Sequence, residues 1–206
     1  MRVTAETRAI TRERILDVAR QIFVEKGFEV ATTRDIARQA GIGTGTLFNY
    51  FCTKEAIVAA LAAEAVLATE KEIEHNYSQG DSLEEDLFGF IAAGLRKLKP
   101  MRQQLPFLFE TSLNPLSFDG NEDAQSLRVL HLETVSQLSR KHNVRELSPV
   151  ALQLYWSLYT GLLLFWANDK SPRQEDTLAL LDHSMEMFVG WLKNQPDSSR
   201  DQSQEK

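Results

Sequence analysis

The sequence predicts an all-α chain, on three observations. Ten glycines and six prolines in 206 residues are about 8%, against a typical ~12%, and no proline precedes Pro100, which disfavours a turn-rich sandwich or barrel. Apolar residues recur at helical steps of three and four over most of the length. Ser, Thr and Pro stand repeatedly where helices open. The length allows one ordinary domain plus a small one, or a single domain with a substantial core.

Taken in order, Ile15, Leu16, Ala19, Ile22 and Phe23 line one face of a first helix. Thr11 is placed to cap it, which leaves residues 1–10 as a flexible arm, and Gly27 ends it with Phe28 closing over the last turn. Phe28, Val30 and Thr32 alternate over too few positions for a strand and read as a connector. Thr32 with Asp35 makes a capping box for a two-turn helix over residues 33–40, whose inward positions are Ile36, Ala37 and Ala40. Gly41 stops it and Ile42 plugs the corner. A second short helix runs from near Thr44 to about Tyr50, so the pair forms a helix-turn-helix candidate within residues 11–53.

Thr53 caps a long helix over residues 54–75, about 33 Å at 1.5 Å per residue. Residues 76–193 then read as a second, helical domain. Ser82 with Glu85 opens a helix through Phe88, Ile91, Leu95 and Leu98 that Pro100 ends. A short helical piece over 105–110, a loop over 114–121 and a helix near 123–141 follow. Ser148-Pro149 and Ser171-Pro172 each set a capping serine before a proline, and Gln174 completes a box in the second. In the last helix Leu178, Leu181, Met185, Phe188 and Leu192 form a two-heptad seam. Residues 194–206 read as a disordered tail.

The net charge of −6 hides an asymmetry: residues 1–54 carry +3 and the remainder −9, so any contact with DNA belongs to the first quarter. Residues 1–10 hold Arg2, Glu6 and Arg8 and no apolar stretch that would direct export, and the single cysteine, Cys52, cannot form an internal disulfide. The cytoplasm is the expected compartment. The uncharged run over residues 149–168 approaches the length of a membrane span, but Gln153, Ser157 and Thr160 interrupt it and it reads as a buried helix.

On the second short helix, Leu47, Phe48 and Phe51 share the arc assigned to the core. Gly45, Thr46, Asn49 and Tyr50 form the opposite arc, which holds no carboxylate to face a phosphate. Lys54 sits in the first turn of the long helix, where a cation opposes the macrodipole at a cost of about 0.3–1 kcal/mol. A DNA phosphate held there offsets the cost; Glu55 or solvent is the alternative.

From Thr11 to about Leu61, and especially through TTRDIARQAGIGTGTLFNYFCTKEAI, the chain resembles the DNA-binding domain of tetracycline-repressor (TetR/AcrR) family regulators. The resemblance implies that Thr33 and Arg34 open the supporting helix on backbone phosphates. Thr44, Gly45, Thr46 and Asn49 would face the major groove, with Tyr50 and Lys54 holding phosphates. Asn49 has the groups to pair bidentately with adenine. Phe48 stands where the family often has tyrosine, so that position offers no hydroxyl to the DNA, and Gly45 often aligns with a longer polar residue.

The resemblance further implies a homodimer, double-stranded palindromic operator DNA as partner, and an unidentified small-molecule effector that displaces the long fourth helix and releases the DNA, most often as a repressor. It implies no cofactor. The apolar residues support dimerisation independently, with one larger monomeric core as the competing explanation. Residues 149–168 are apolar nearly all round: Ala151, Leu154, Leu158, Gly161 and Phe165 are assigned to the subunit core, leaving Tyr159, Leu163 and Trp166 on a second side for a partner, together with the seam Leu178, Leu181, Met185, Phe188 and Leu192. Phe88, Phe107, Phe109, His131, Tyr155 and Trp156 either line an effector pocket or are plain core.

An enzyme is disfavoured: the chain has no Gly-rich phosphate loop, HExxH or GxSxG motif, no evident metal-ligand spacing and four scattered histidines. Cys52 lacks an obvious base, and reads as a connector residue or a redox sensor. A helical interaction module that does not bind DNA is the other rival, and steep salt dependence of binding separates it.

Overall fold

The computed structural model describes residues 4–76, 80–105, 122–144 and 146–195, and among these there is no strand. The helices are α1 (Ala5–Lys26), α2 (Thr33–Gln39), α3 (Thr44–Phe48), α4 (Lys54–Asn76), α5 (Leu83–Leu98), α6 (Glu122–Lys141), α7 (Pro149–Asn168) and α8 (Glu175–Lys193), with short 3-10 segments at Lys99–Gln104 and Pro172–Gln174. Apart from Leu105, the piece over 105–110 and the loop over 114–121, with Phe107 and Phe109, lie outside the described residues, as do 196–206 of the tail.

α1 to α3 close over a small core in which Ile15, Ala19, Ile22, Ile36 and Leu47 are fully buried. α4 packs on α1 at one end and on α5 and α6 at the other, so one helix joins the head to the body. In the body α8 packs on α5 and α7, burying Leu87, Phe90, Leu181 and Phe188.

Local side-chain chemistry fixes most helix ends where the sequence puts them. Thr32 accepts from the Asp35 backbone N–H (3.1 Å) and donates its hydroxyl to the Asp35 carboxylate (2.9 Å). Thr53, Ser82 and Ser148 accept from Ala56, Glu85 and Ala151 in the same way. Gly27 and Gly41 take φ values of +79° and +68°, which side-chain-bearing residues rarely adopt. Phe28 packs edge-on against Phe23 at 5.4 Å.

Three boundaries differ from expectation. α1 starts at Ala5, capped by Thr4, whose hydroxyl accepts from Thr7 N–H. Thr11 lies inside the helix and returns its hydroxyl to the Thr7 carbonyl at 2.8 Å, so residues 5–10 are helix rather than arm. α3 ends at Phe48, with Asn49 as its C-cap. Gln174 is not part of a capping box: Arg173 and Gln174 are left-handed (φ 52° and 63°), and α8 begins one residue later. Its first N–H groups are met by the Ser171 hydroxyl at Asp176 (3.1 Å) and by the Asp169 carboxylate at Thr177 (3.1 Å).

The two sides of α7 are exchanged only in part: Ala151 is buried and Leu154 and Leu158 are half-buried against the core, as expected. Tyr155, Trp156, Tyr159, Leu163 and Trp166 face the subunit core and are buried, while Gly161, Leu164 and Phe165 face outward. The α8 seam is divided likewise: Leu181, Met185 and Phe188 are buried within the subunit, Leu192 is half-buried, and only Leu178 is exposed. Tyr159, Leu163, Trp166, Leu181, Met185 and Phe188 are therefore unavailable to a partner. The large apolar residues that α7 and α8 present outward are Val150 (68% exposed) at the start of α7, Leu164, Phe165 (43%), Leu178, Leu180 and Met187 (61%). α7 is long and apolar enough by composition to cross a membrane, and about half of it is buried in the body.

Candidate nucleic-acid interface

The recognition unit is built by α2 and α3 around one turn. Gly41 N–H donates to the Arg38 carbonyl (3.2 Å) and Ile42 N–H to the Ala37 carbonyl (3.0 Å), which seats Ile42 against the core as expected. Leu47 and Phe51 anchor the second element inward. Gly45, Thr46 and Asn49 are exposed, and Thr44 and Tyr50 are half-buried at the edges. On α2, Arg34 is exposed and Thr33 half-buried. The nearby carboxylate, Asp35, is occupied by the Thr32 hydroxyl and by Arg38 at 2.8 Å, and those contacts hold its pKa below the ordinary value.

Phe48 corrects the helical-wheel assignment. It is 46% exposed, because a five-residue helix buries only the narrow arc around Leu47, and Phe48 lies past the edge of that arc.

Lys54 is also placed differently. Its ammonium donates to the carbonyl oxygens of Phe28 (2.6 Å) and Ala31 (3.1 Å) and stands 4.0 Å from the centre of the Phe28 ring. Neither a phosphate nor Glu55 is needed to offset its position at the start of α4; the connector between α1 and α2 does so. Arg8 and Arg12, by contrast, lie within α1, with guanidinium carbons 5.9 Å from the Tyr50 ring centre and 5.3 Å from that of Phe51. Sequence reasoning puts Arg8 on an arm; the signal it passes over is Thr4, as good a cap as Thr11. Cys52 is exposed in the turn before α4.

In the body, His131 is enclosed by aromatic rings. Tyr159 stacks on it at 4.2 Å between centres, Phe90 lies at 4.8 Å and Trp156 at 5.9 Å edge-on, and Nε2 is 3.0 Å from the Tyr155 hydroxyl. Burial pushes its pKa down to about 3, so the ring is neutral, and the same burial raises both tyrosines. His131, Tyr155 and Trp156 thus come together; Phe88 is half-buried against the same core.

Besides the packing of α1 on α4, polar contacts among the described residues tie α4 to the head. Arg20 on α1 bridges Asp17 (2.7 Å) and Glu64 of α4 (2.9 Å). A cleft of about 400 Å³ opens beside this bridge, between Arg20, Leu61, Ala65, Lys97 and Met101. The Lys54 contact is another such tie.

Residues 15–61 match the family model described as bacterial regulatory proteins, tetR family. Over 194 residues, 87% of this chain and 95% of the other, it is 26% identical to an uncharacterized HTH-type transcriptional regulator, YvkB, of Bacillus subtilis (strain 168). The HTH-type transcriptional regulator UidR of Escherichia coli (strain K12) is 45% identical over 51 residues, about a quarter of either chain. In fold, the chain is similar to Thermus thermophilus FadR, a TetR-family transcriptional repressor solved with lauroyl-CoA: TM-score 0.68, 22% identity, covering 91% of this chain and 97% of that one. Residues 15–61 thus match the tetR-family model, and over nearly its whole length the chain has the fold of these regulators.

Proposed function

We propose that the chain is a homodimeric repressor that binds a palindromic operator in the cytoplasm and is released by a small-molecule effector. The observation that carries the reading is the exposed edge of α3, with Gly45, Thr46 and Asn49 outward, Thr44 and Tyr50 flanking, and no carboxylate among them. Asn49 reads adenine, while Thr33, Arg34, Tyr50 and Arg8 hold phosphates on either side. Lys54 serves by fixing the connector rather than by touching DNA.

Dimerisation uses the outward apolar residues of α7 and α8, Gly161, Leu164, Phe165, Leu180 and Met187, which one subunit leaves uncovered. The effector is a small molecule whose apolar part is held near the His131 cluster, and it acts on α4, which contacts both halves. Because FadR of the same fold holds lauroyl-CoA, long-chain acyl-CoA is the first compound to test.

The test is binding of the purified chain to duplexes selected from a random library, compared with scrambled duplexes over a range of salt. Enrichment of a palindrome, lost in Asn49→Ala, supports the reading. Equal affinity for selected and scrambled duplex rejects it in favour of a helical interaction module.

A further inference from the structure

Within α2, α3 and the turn between them, Phe48 is the large apolar side chain left in solvent. One turn before it stands Gly45, where an added Cβ would meet nothing within 4 Å and the backbone is not left-handed. Nothing inside the subunit therefore requires glycine at that position, although glycine is a poor helix former next to alanine. A bare backbone position beside an exposed ring is an apolar notch on the surface assigned to DNA. Phenylalanine offers no hydrogen bond to a base edge or a phosphate. In the major groove its complement is the 5-methyl group of thymine, the apolar mark that the four base pairs present there.

We propose that Gly45 and Phe48 together receive a thymine 5-methyl group, making Phe48 a specificity-determining residue beside Asn49. The proposal rests on the DNA-binding reading above. Phe48 supplies the contact surface, and Gly45 lets the backbone come close enough for the ring to reach the methyl. Asn49, adjacent and exposed, reads a neighbouring position through hydrogen bonds.

The experiment uses the full chain and its selected duplex, with each thymine replaced in turn by deoxyuridine, which removes only the methyl. Wild type should lose about fourfold in affinity at one thymine per half-site, the factor that burying one methyl group corresponds to. Phe48→Ala should bind the thymine duplex more weakly and be indifferent to that replacement. Gly45→Ala should melt at a higher temperature than wild type yet bind more weakly, opposite signs that a purely structural role does not produce. The proposal is overturned if wild type discriminates at no thymine, if Phe48→Ala keeps the wild-type preference at every position, or if Gly45→Ala binds as tightly as wild type. Failure of wild type to select any duplex is a different result: it removes the DNA-binding reading itself, and this proposal with it.

Discussion

The ammonium of Lys54 lies 2.6 Å from the carbonyl oxygen of Phe28 and faces the ring of the same residue. The first residue of α4 thereby ties to the segment that leads from α1 into α2, beside the packing of α2 on α1 and of α3 on α2.

Lys54→Met should lower stability by about 1.5–3 kcal/mol, the range for hydrogen bonds made by a charged group, and should weaken operator binding. The slope of log K against log salt should stay as in wild type. If Lys54 instead held a phosphate, its removal would make that slope shallower by about 0.9. Salt titration of both proteins decides.

His131 makes the body sensitive to acid. Its pKa is near 3 when folded and near 6.5 when free, so between these values the unfolded chain binds a proton that the folded chain does not. Stability should therefore fall as pH drops below about 6.5, by about 1.4 kcal/mol per pH unit for this one group, and level off near pH 3. Urea unfolding of wild type and His131→Gln from pH 7 to 4 should show the variant's slope smaller by one proton.

Asp169 acts in a lower window. Its carboxylate accepts from Ser171 N–H (2.7 Å) and from the N–H and hydroxyl of Thr177 (3.1 and 2.5 Å), and these bonds hold its pKa well below the usual carboxylate range. The stability it gives is present above about pH 4 and is lost as pH falls toward the folded value. Thr177→Val, at a fully buried position, should cost about 1.5–3 kcal/mol at pH 7 and move this loss to higher pH. Denaturant midpoints against pH measure both.

Phe165→Glu tests the dimer. A carboxylate at an outward apolar position leaves the subunit core untouched but is buried twice across a two-fold axis, which should raise the dissociation constant by about 100-fold or more. Sedimentation over a concentration series reads the outcome. A wild-type chain that stays monomeric rejects the dimer; an unchanged constant in the variant rejects this interface.

What the sequence discloses is what lies within a few residues along the chain. Caps at Thr32, Thr53, Ser82 and Ser148 and the turns at Gly27 and Gly41 depend on offsets of two to four residues, and all are present. The polar edge of α3 is legible for the same reason. Three kinds of feature are not. α7 is apolar on both sides, so its pattern carries no sign of which side faces inward; the choice depends on partners distant in sequence such as His131, which meets Tyr155 across 24 positions. Lys54 reaches back 23 and 26 positions, and Arg102 closes the end of α7 by donating to the carbonyls of Trp166 and Asp169, more than sixty positions away. Phe48 is misassigned because the wheel treats every helix as having a wide buried arc, whereas α3 is too short to cover more than Leu47.

The early start of α1 has an energetic side. Had residues 5–10 been a loose arm, fixing them on a duplex would cost about 1–2 kcal/mol of backbone entropy per residue, enough to cancel much of the attraction between their cations and phosphates. With Thr4 as cap, folding has already met that backbone penalty, and Arg8 and Arg12 arrive on a formed helix beside Tyr50 and Phe51. Removing the cap with Thr4→Ala would transfer the ordering cost from folding to association, loosening the grip on DNA without altering any group that touches it.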